Sequence, residues 1–271
     1  MSRTWFITGT SSGFGLEMTE RLLERGDRVA ATLRKPSVLE GLKARYGEQL
    51  WLAQLDVTDA GNVREVIDRA FAELGRIDVV VSNAGYGLAG AAEELSDAQI
   101  TRQLTTNVLG SIQVIRAALP HLRQQGGGRI LQLSSMGGQI TFPGLSLYHT
   151  SKFAMEGFVE TVAQEVAGFN IEFTLVEPGT AQTDFTRGME LADPHAAYDD
   201  SGIRQMLDGW PQVGDAKKMV REMIASVDRS PAPRRLTLGS DAYTLVHAAL
   251  TERLAALEAQ KEIAFSTDIS A

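Results

Sequence analysis

The sequence predicts an α/β protein, a doubly wound parallel β-sheet with helices on both faces. Three observations carry that prediction. Short apolar runs of strand length alternate along the chain with longer segments whose apolar residues recur at helical spacing. A glycine-rich turn follows the first run at once, and Asp56, Asn83, Ser135 and Gly179 stand where later runs end. The chain has 271 residues, a length that suits one α/β domain over residues 1–271 better than two small ones.

The first run, Thr4 to Thr8, halts at Gly9 and reads as a buried strand. Gly9-Thr10-Ser11-Ser12-Gly13-Phe14-Gly15 then opens a helical pattern with Leu16, Leu22 and Leu23 apolar. Glycines let the backbone turn sharply and let a pyrophosphate approach the amides of a helix N-terminus. A tight strand–helix joint has the same composition. Arg28 to Leu33 reads as the second strand. An acidic residue near its end would accept bonds from a ribose 2′-hydroxyl, but Leu33 is followed by Arg34 and Lys35. That pair attracts a 2′-phosphate, so NADP(H) is expected over NAD(H), with a solvated turn as the other reading.

A helix with Leu39 and Leu42 comes next, then a strand from Leu50 to Leu55 ending at Asp56-Val57. Asp59 suits the N-cap of a helix bearing Val63, Val66, Ile67, Ala70, Phe71 and Leu74, and Gly75 can stop it. Val79-Val80-Val81 has the continuous apolarity of a strand covered on both faces, closed by Asn83-Ala84-Gly85. Small residues there allow a flat ribose or adenine to lie against the backbone, as they also allow an ordinary turn. Residues 97–124 read as one long helix, inside which Asn107 and Gly110 are locally unfavourable. After Gly126-Gly127-Gly128 come a strand to Leu133 and a helix bearing Phe153, Met155, Phe158, Val159 and Val162, residues suited to core or subunit contact. Ile171 to Val176 is another strand, followed by Glu177-Pro178-Gly179-Thr180 and Thr183. Residues 184–214, with Phe185, Met189, Tyr198, Met206 and Trp210, are too long and irregular for a connector and read as a substrate lid. A helix near 215–227, a strand near 235–238 and a last helix from about Asp241 complete the chain.

An apolar fraction of 44% with 22% charged residues is ordinary for a soluble globule. The net charge of −8 argues against a surface that tracks nucleic-acid phosphates. The absence of cysteine removes thiol catalysis and fits a cytoplasmic location, and no run is long enough for a membrane span. The four histidines lack zinc-ligand spacing, so no metal is expected. Ser134-Ser135 lacks the glycine-flanked elbow of a hydrolase nucleophile.

The chemistry is expected in residues 134–152. Tyr148 and Lys152 are four apart, so on a helix they project from one face. A phenol, with an ordinary pKa of about 10, is a poor proton carrier at neutral pH, and a nearby ammonium lowers that value. Ser135, just past a strand, can orient a substrate oxygen.

In chain order, T-G-x-x-x-G-x-G (8–15), Asp56, N-A-G (83–85), Asn107, Ser135, Tyr148-x-x-x-Lys152 and P-G (178–179) resemble the short-chain dehydrogenase/reductase family. The resemblance is to its compact single-domain branch and runs over nearly the whole chain. V-E-P-G (176–179) is similar to the branch holding 17β-hydroxysteroid and retinol dehydrogenases. The resemblance implies a Rossmann-like fold and a reversible carbonyl/alcohol oxidoreductase. It makes Tyr148 the general acid/base, has Lys152 lower its pKa and bond the nicotinamide ribose, has Ser135 position the carbonyl, and places Asn107 in a water relay to Lys152. Gly9, Ser11, Ser12, Gly13, Phe14 and Gly15 would hold phosphates and ribose, and Arg34 the 2′-phosphate. Asp56 and Val57 would flank adenine, Asn83, Ala84 and Gly85 the adenosine side, and Pro178, Gly179 and Thr183 the nicotinamide amide. Ala181 stands where the family often has Val or Ile, and Ser12 where many NADPH-preferring members carry a basic residue. Tyr86, Leu88, Phe142, Phe185, Met189 and Trp210 are the candidates to line a fairly apolar substrate pocket. The family associates through the two long helices, so a homodimer or homotetramer is expected. An NADP(H)-sensing regulator and an epimerase or dehydratase are the alternatives; the Ser135–Tyr148–Lys152 set speaks against the first, the glycine spacing and the lack of a sizeable extra C-terminal domain against the second.

Overall fold

The computed structural model describes residues 2–269 apart from 184, 186, 187, 200, 204–208 and 210. Seven strands form one parallel sheet: β1 Thr4–Thr8, β2 Arg28–Leu33, β3 Leu50–Gln54, β4 Val79–Ser82, β6 Gly128–Leu133, β7 Ile171–Pro178 and β9 Arg235–Leu238, in the order β3-β2-β1-β4-β6-β7-β9. The order reverses direction after β1, so a crevice opens at the carboxyl ends of β1 and β4. Two short strands outside this sheet, β5 Leu88–Ala89 and β8 Glu190–Leu191, pair in parallel; sequence periodicity cannot reveal elements of two residues.

Successive strand residues point to opposite faces, and both faces are buried. Phe6, Ala30, Val80 and Ile130 pack with helix α3 (Ala60–Leu74), helix α5 (Ser111–Gln124) and helix α6 (Ser146–Glu165). Trp5, Ile7, Val29, Val79 and Val81 pack on the other side with helix α1 (Gly13–Glu24) and the helix Ala216–Ser226. Each of the larger aliphatic and Phe side chains contributes roughly 1.5–3 kcal/mol on full burial. Asp59 caps α3 by accepting from the amides of Gly61 and Asn62, and Gly75, with φ of +75°, ends it.

The expected long helix over 97–124 is continuous but not uniform. Beyond α2 (Glu40–Tyr46) and α3, helix α4 (Asp97–Leu104) passes into a π-helical turn at Thr105–Gly110 and then into α5. The turn contains both locally unfavourable residues, Asn107 and Gly110, and π-turns of this kind recur at functional sites. In the last long helix, Ser240–Glu258, Ala242 and Val246 are buried whereas Leu250, Leu254 and Leu257 stand exposed. Among the described residues no helix is long and apolar enough to cross a membrane.

Candidate active site

The glycine turn sits at the carboxyl end of β1. Gly9 has φ of +72°, where a side chain is strained, and a Cβ there would stand 2.8 Å from Ala84 Cα. At Gly15 a Cβ would stand 2.7 Å from Asn83 Nδ2 and collide with the Gly9 carbonyl. The start of α1 can therefore lie directly against the ends of β1 and β4, with its free amides facing the crevice. Asn83 fastens this arrangement: its Nδ2 donates to the carbonyls of Thr8 (2.8 Å) and Gly9 (3.0 Å), and its backbone N–H donates to Thr8 Oγ1 (2.9 Å). The Asn83 side chain thus braces the turn, and the residue also lines the cleft beside it.

A cleft of about 800 Å³ runs from this turn across the strand ends. One part is lined by Gly9, Ser11, Ser12, Gly13, Phe14, Arg34, Asp56 and Val57, the middle by Asn83, Ala84 and Gly85, and the far part by Ser135, Tyr148, Lys152, Pro178, Gly179 and Thr183. Hydrogen bonds from the Thr58 side chain (2.7 Å) and backbone (2.9 Å) hold the Asp56 carboxyl below its usual range, and the Arg34 charge adds to the effect. Arg34 is exposed and makes no hydrogen bond or ion pair among the described residues.

Tyr148 and Lys152 project from one face of α6, as i, i+4 spacing requires, and Ser135 lies just past the end of β6. The Lys152 ammonium lies 5.6 Å from the centre of the Tyr148 ring and donates to the Leu133 carbonyl at 2.9 Å. Burial pushes Tyr148 up to about 12, against the pull of a hydrogen bond from Ser135. Burial likewise pushes Lys152 down to about 8, and the charge of Glu156 opposes that fall. The expected lowering of the Tyr148 pKa is therefore corrected for the chain alone: the amine is engaged with a carbonyl, and desolvation of the phenol outweighs it. Asn107 is buried in the π-turn. Its Oδ1 accepts from Tyr86 N (3.1 Å), and its Nδ2 donates to Tyr86 O (2.9 Å) and Ser151 Oγ (3.2 Å). It ties the π-turn to the segment after β4 and to α6.

Of the proposed pocket lining, Tyr86, Phe142, Phe185 and Met189 reach the cleft. The Phe185 ring centre is 5.6 Å from that of Tyr148. Leu88 does not line it: the residue is buried against Leu95 and Ala192, because the β5–β8 pairing turns it inward. Trp210 lies outside the described residues. Among the described residues no group of three or more His, Asp or Glu is placed to hold a metal ion.

Sequence reasoning missed His149, Glu156 and Arg102. The His149 ring, 4% exposed, bridges the loop after Ser135: Nδ1 bonds the Gly137 carbonyl at 2.8 Å, and Nε2 accepts from Phe142 N–H at 2.9 Å. Only a neutral imidazole can do both, and burial pushes its pKa below the ordinary value. The unfolded chain then binds this proton more readily than the folded one. The stability His149 contributes is therefore full above its unfolded pKa of about 6.5 and is lost as pH falls toward the folded value. Urea melts at pH 7 and pH 5 should show the intact protein losing more stability than His149→Gln; equal losses would exclude the effect. Arg102, half exposed on the cleft rim, pairs with Glu190 of β8. No sequence motif marks these three positions; only burial and long-range partners do.

The model of the short chain dehydrogenase family matches residues 3–193. The chain belongs to the short-chain dehydrogenase family. It is 38% identical over 248 residues to oxidoreductase BOA17 of Botryotinia fuckeliana, spanning 89% of this chain and 90% of that one. A short-chain dehydrogenase crystal structure from Streptomyces avermitilis superposes with a TM-score of 0.92 at 34% identity, over 99% of this chain and 100% of that one. The closed form of a serine dehydrogenase complexed with NADP+ superposes with a TM-score of 0.75 at 25% identity, over 87% and 94% of the two chains. As a member of this family of oxidoreductases, the chain has a glycine cradle and cleft that fit a dinucleotide. The turn at Gly9 and Gly15 excludes Cβ atoms where the backbone must come close, and the cleft leads from it to Tyr148 without interruption.

Proposed function

We propose that this short-chain dehydrogenase interconverts a ketone or aldehyde and the corresponding alcohol with NADP(H). The observation that carries the reading is the continuous cleft joining the glycine turn to Ser135, Tyr148 and Lys152. When bound, the dinucleotide supplies or takes up a hydride at its nicotinamide ring. The Gly9–Gly15 turn would hold the phosphates, Arg34 the 2′-phosphate, Asp56 and Val57 the adenine, and Pro178, Gly179 and Thr183 the amide end. NAD(H) is the alternative cofactor, and Arg34 is the residue that disfavours it.

In reduction, Ser135 Oγ donates to the carbonyl oxygen and orients it, and the Tyr148 hydroxyl transfers its proton to that oxygen. In oxidation the same hydroxyl oxygen, as phenolate, takes the proton back. The high pKa from burial keeps Tyr148 protonated at neutral pH, the state reduction needs. Lys152 contributes positive charge as phenolate character develops, and Asn107 fixes the π-turn behind α6. Tyr86, Phe142, Phe185 and Met189 offer the substrate an apolar wall; part of the lid expected over 184–214, Trp210 included, lies outside the described residues. Exposed Phe153 on α6 and exposed Leu109 on the π-turn suit contact between copies, which supports a homodimer or homotetramer built on those helices.

Stopped-flow oxidation of bound NADPH across a panel of ketones and aldehydes, short and long, tests the reading. Rapid oxidation with at least one apolar carbonyl is expected; none across the panel would refute it.

A further inference from the structure

Tyr148, Lys152 and Glu156 follow one another at i, i+4 and i+8 on α6, and Glu156 is 3% exposed. Its Oε1 accepts from Ser134 Oγ at 2.6 Å, and its Oε2 accepts from Gln139 Nε2 and from Arg235 Nη1, the latter at 2.6 Å. Ser134 and Gln139 flank the short turn that carries Ser135. A Cβ at Gly138 would collide with the Glu156 carboxylate, so the turn is moulded around this side chain. Lys152 grips the residue before Ser134, at the Leu133 carbonyl.

Resting on the carbonyl/alcohol reading above, we propose that Glu156 is a positioning residue of this site. Its buried carboxylate, fixed by Arg235, holds the turn bearing the Ser135 hydroxyl and balances the charge of the Lys152 ammonium.

The charge arithmetic of the surroundings supports the second role. Glu177, 1% exposed on β7, bonds the same guanidinium and accepts from Thr237 Oγ1 at 3.0 Å. Glu160 also reaches Arg235, but it is half exposed and screened by water. Two buried carboxylates therefore share one guanidinium, and buried charge is stable only when compensated. Lys152 is the cation one turn away. Burial and the Glu156 charge push the Glu177 carboxyl up, the mark of a cluster short of positive charge. On α6 the other ionisable groups are buried Tyr148 and His149 and exposed Glu165; on the last long helix Asp241 is half-buried, and Tyr243, His247, Glu252, Arg253 and Glu258 are exposed to water. An apolar side chain would fill the space of Glu156 without desolvating a charge, but it could hold neither Ser134 nor the ammonium.

Removing a negative charge lowers the pKa of both members of the Tyr148–Lys152 pair, whichever of them carries the titration. Glu156→Gln should bind NADPH and substrate within about threefold of the parent, lose about tenfold in kcat, and move the alkaline limb of the kcat profile for reduction down by about one pH unit. Glu156→Asp, which keeps the charge, should return the limb to within about 0.3 unit even where kcat stays low. An unmoved limb in Glu156→Gln, or an unchanged kcat, would overturn the proposal. If that variant does not melt cooperatively, Ser134→Ala decides: kcat should fall about threefold or more at constant KM, and an unchanged kcat counts against the inference. Nitrogen-15 NMR of the Lys152 ammonium, titrating lower in Glu156→Gln than in the parent, needs no turnover. It judges the role of Glu156 even where a parent inactive on the carbonyl panel has refuted the functional reading.

Discussion

Tyr148→Phe is expected to lower kcat for carbonyl reduction by about 10³-fold while leaving the NADPH dissociation constant within about threefold. The substitution deletes one oxygen. The ring keeps its packing against Ala89, Leu145, Phe142 and Met189, so the fold and the cleft wall survive. What disappears is the proton that must reach the carbonyl oxygen as hydride arrives at carbon. A 10³-fold loss corresponds to about 4 kcal/mol of transition-state stabilisation, within the range of a positioned general acid. Water is a poor replacement because Tyr148 is only 8% exposed and Phe185 stands 5.6 Å away, ring centre to ring centre. Single-turnover kinetics with saturating NADPH measures the chemical step directly. Full turnover in the variant would remove Tyr148 from the acid/base role and leave Ser135 as the group to test next.

Arg34→Asp should raise the NADPH dissociation constant about 10²-fold and change that for NADH less than about threefold. Arg34 stands at the end of β2, exposed on the cleft wall and free of any ion pair among the described residues, so its charge is available to a ligand. Reversing it would set a carboxylate where a 2′-phosphate bearing nearly two negative charges is expected. Asp56, already held ionised by Thr58, would add to the repulsion. A ribose with a free 2′-hydroxyl meets no such repulsion and can donate to the new carboxylate. Fluorescence titration with both cofactors separates these cases. Equal weakening of the two would mean that Arg34 acts on the turn itself and not on the phosphate.

Much of the architecture was legible in advance because it follows from local rules. The runs at 4–8, 28–33 and 79–81 are mostly apolar, as a strand covered on both faces requires, and each is strand in the structure. The N-cap Asp59 and the stop at Gly75 are properties of single residues and appear where their chemistry places them. Leu88 illustrates the limit. An apolar residue near the cleft in sequence was turned away from it by a pairing between segments 102 residues apart, Leu88 with Glu190.

The sequence by itself determined the doubly wound sheet, the glycine turn and the alignment of Tyr148 with Lys152, since strand alternation, glycine conformation and helical periodicity act over a few residues. Only the tertiary structure decided the electrical state of the site. It buried Tyr148, engaged Lys152 with a strand carbonyl, turned Asn107 toward Tyr86 and Ser151, and gathered Glu156, Glu177 and Arg235 behind Ser134. Desolvation and Coulomb energy depend on every group that folding brings near, however distant in the chain, and no local pattern encodes that sum.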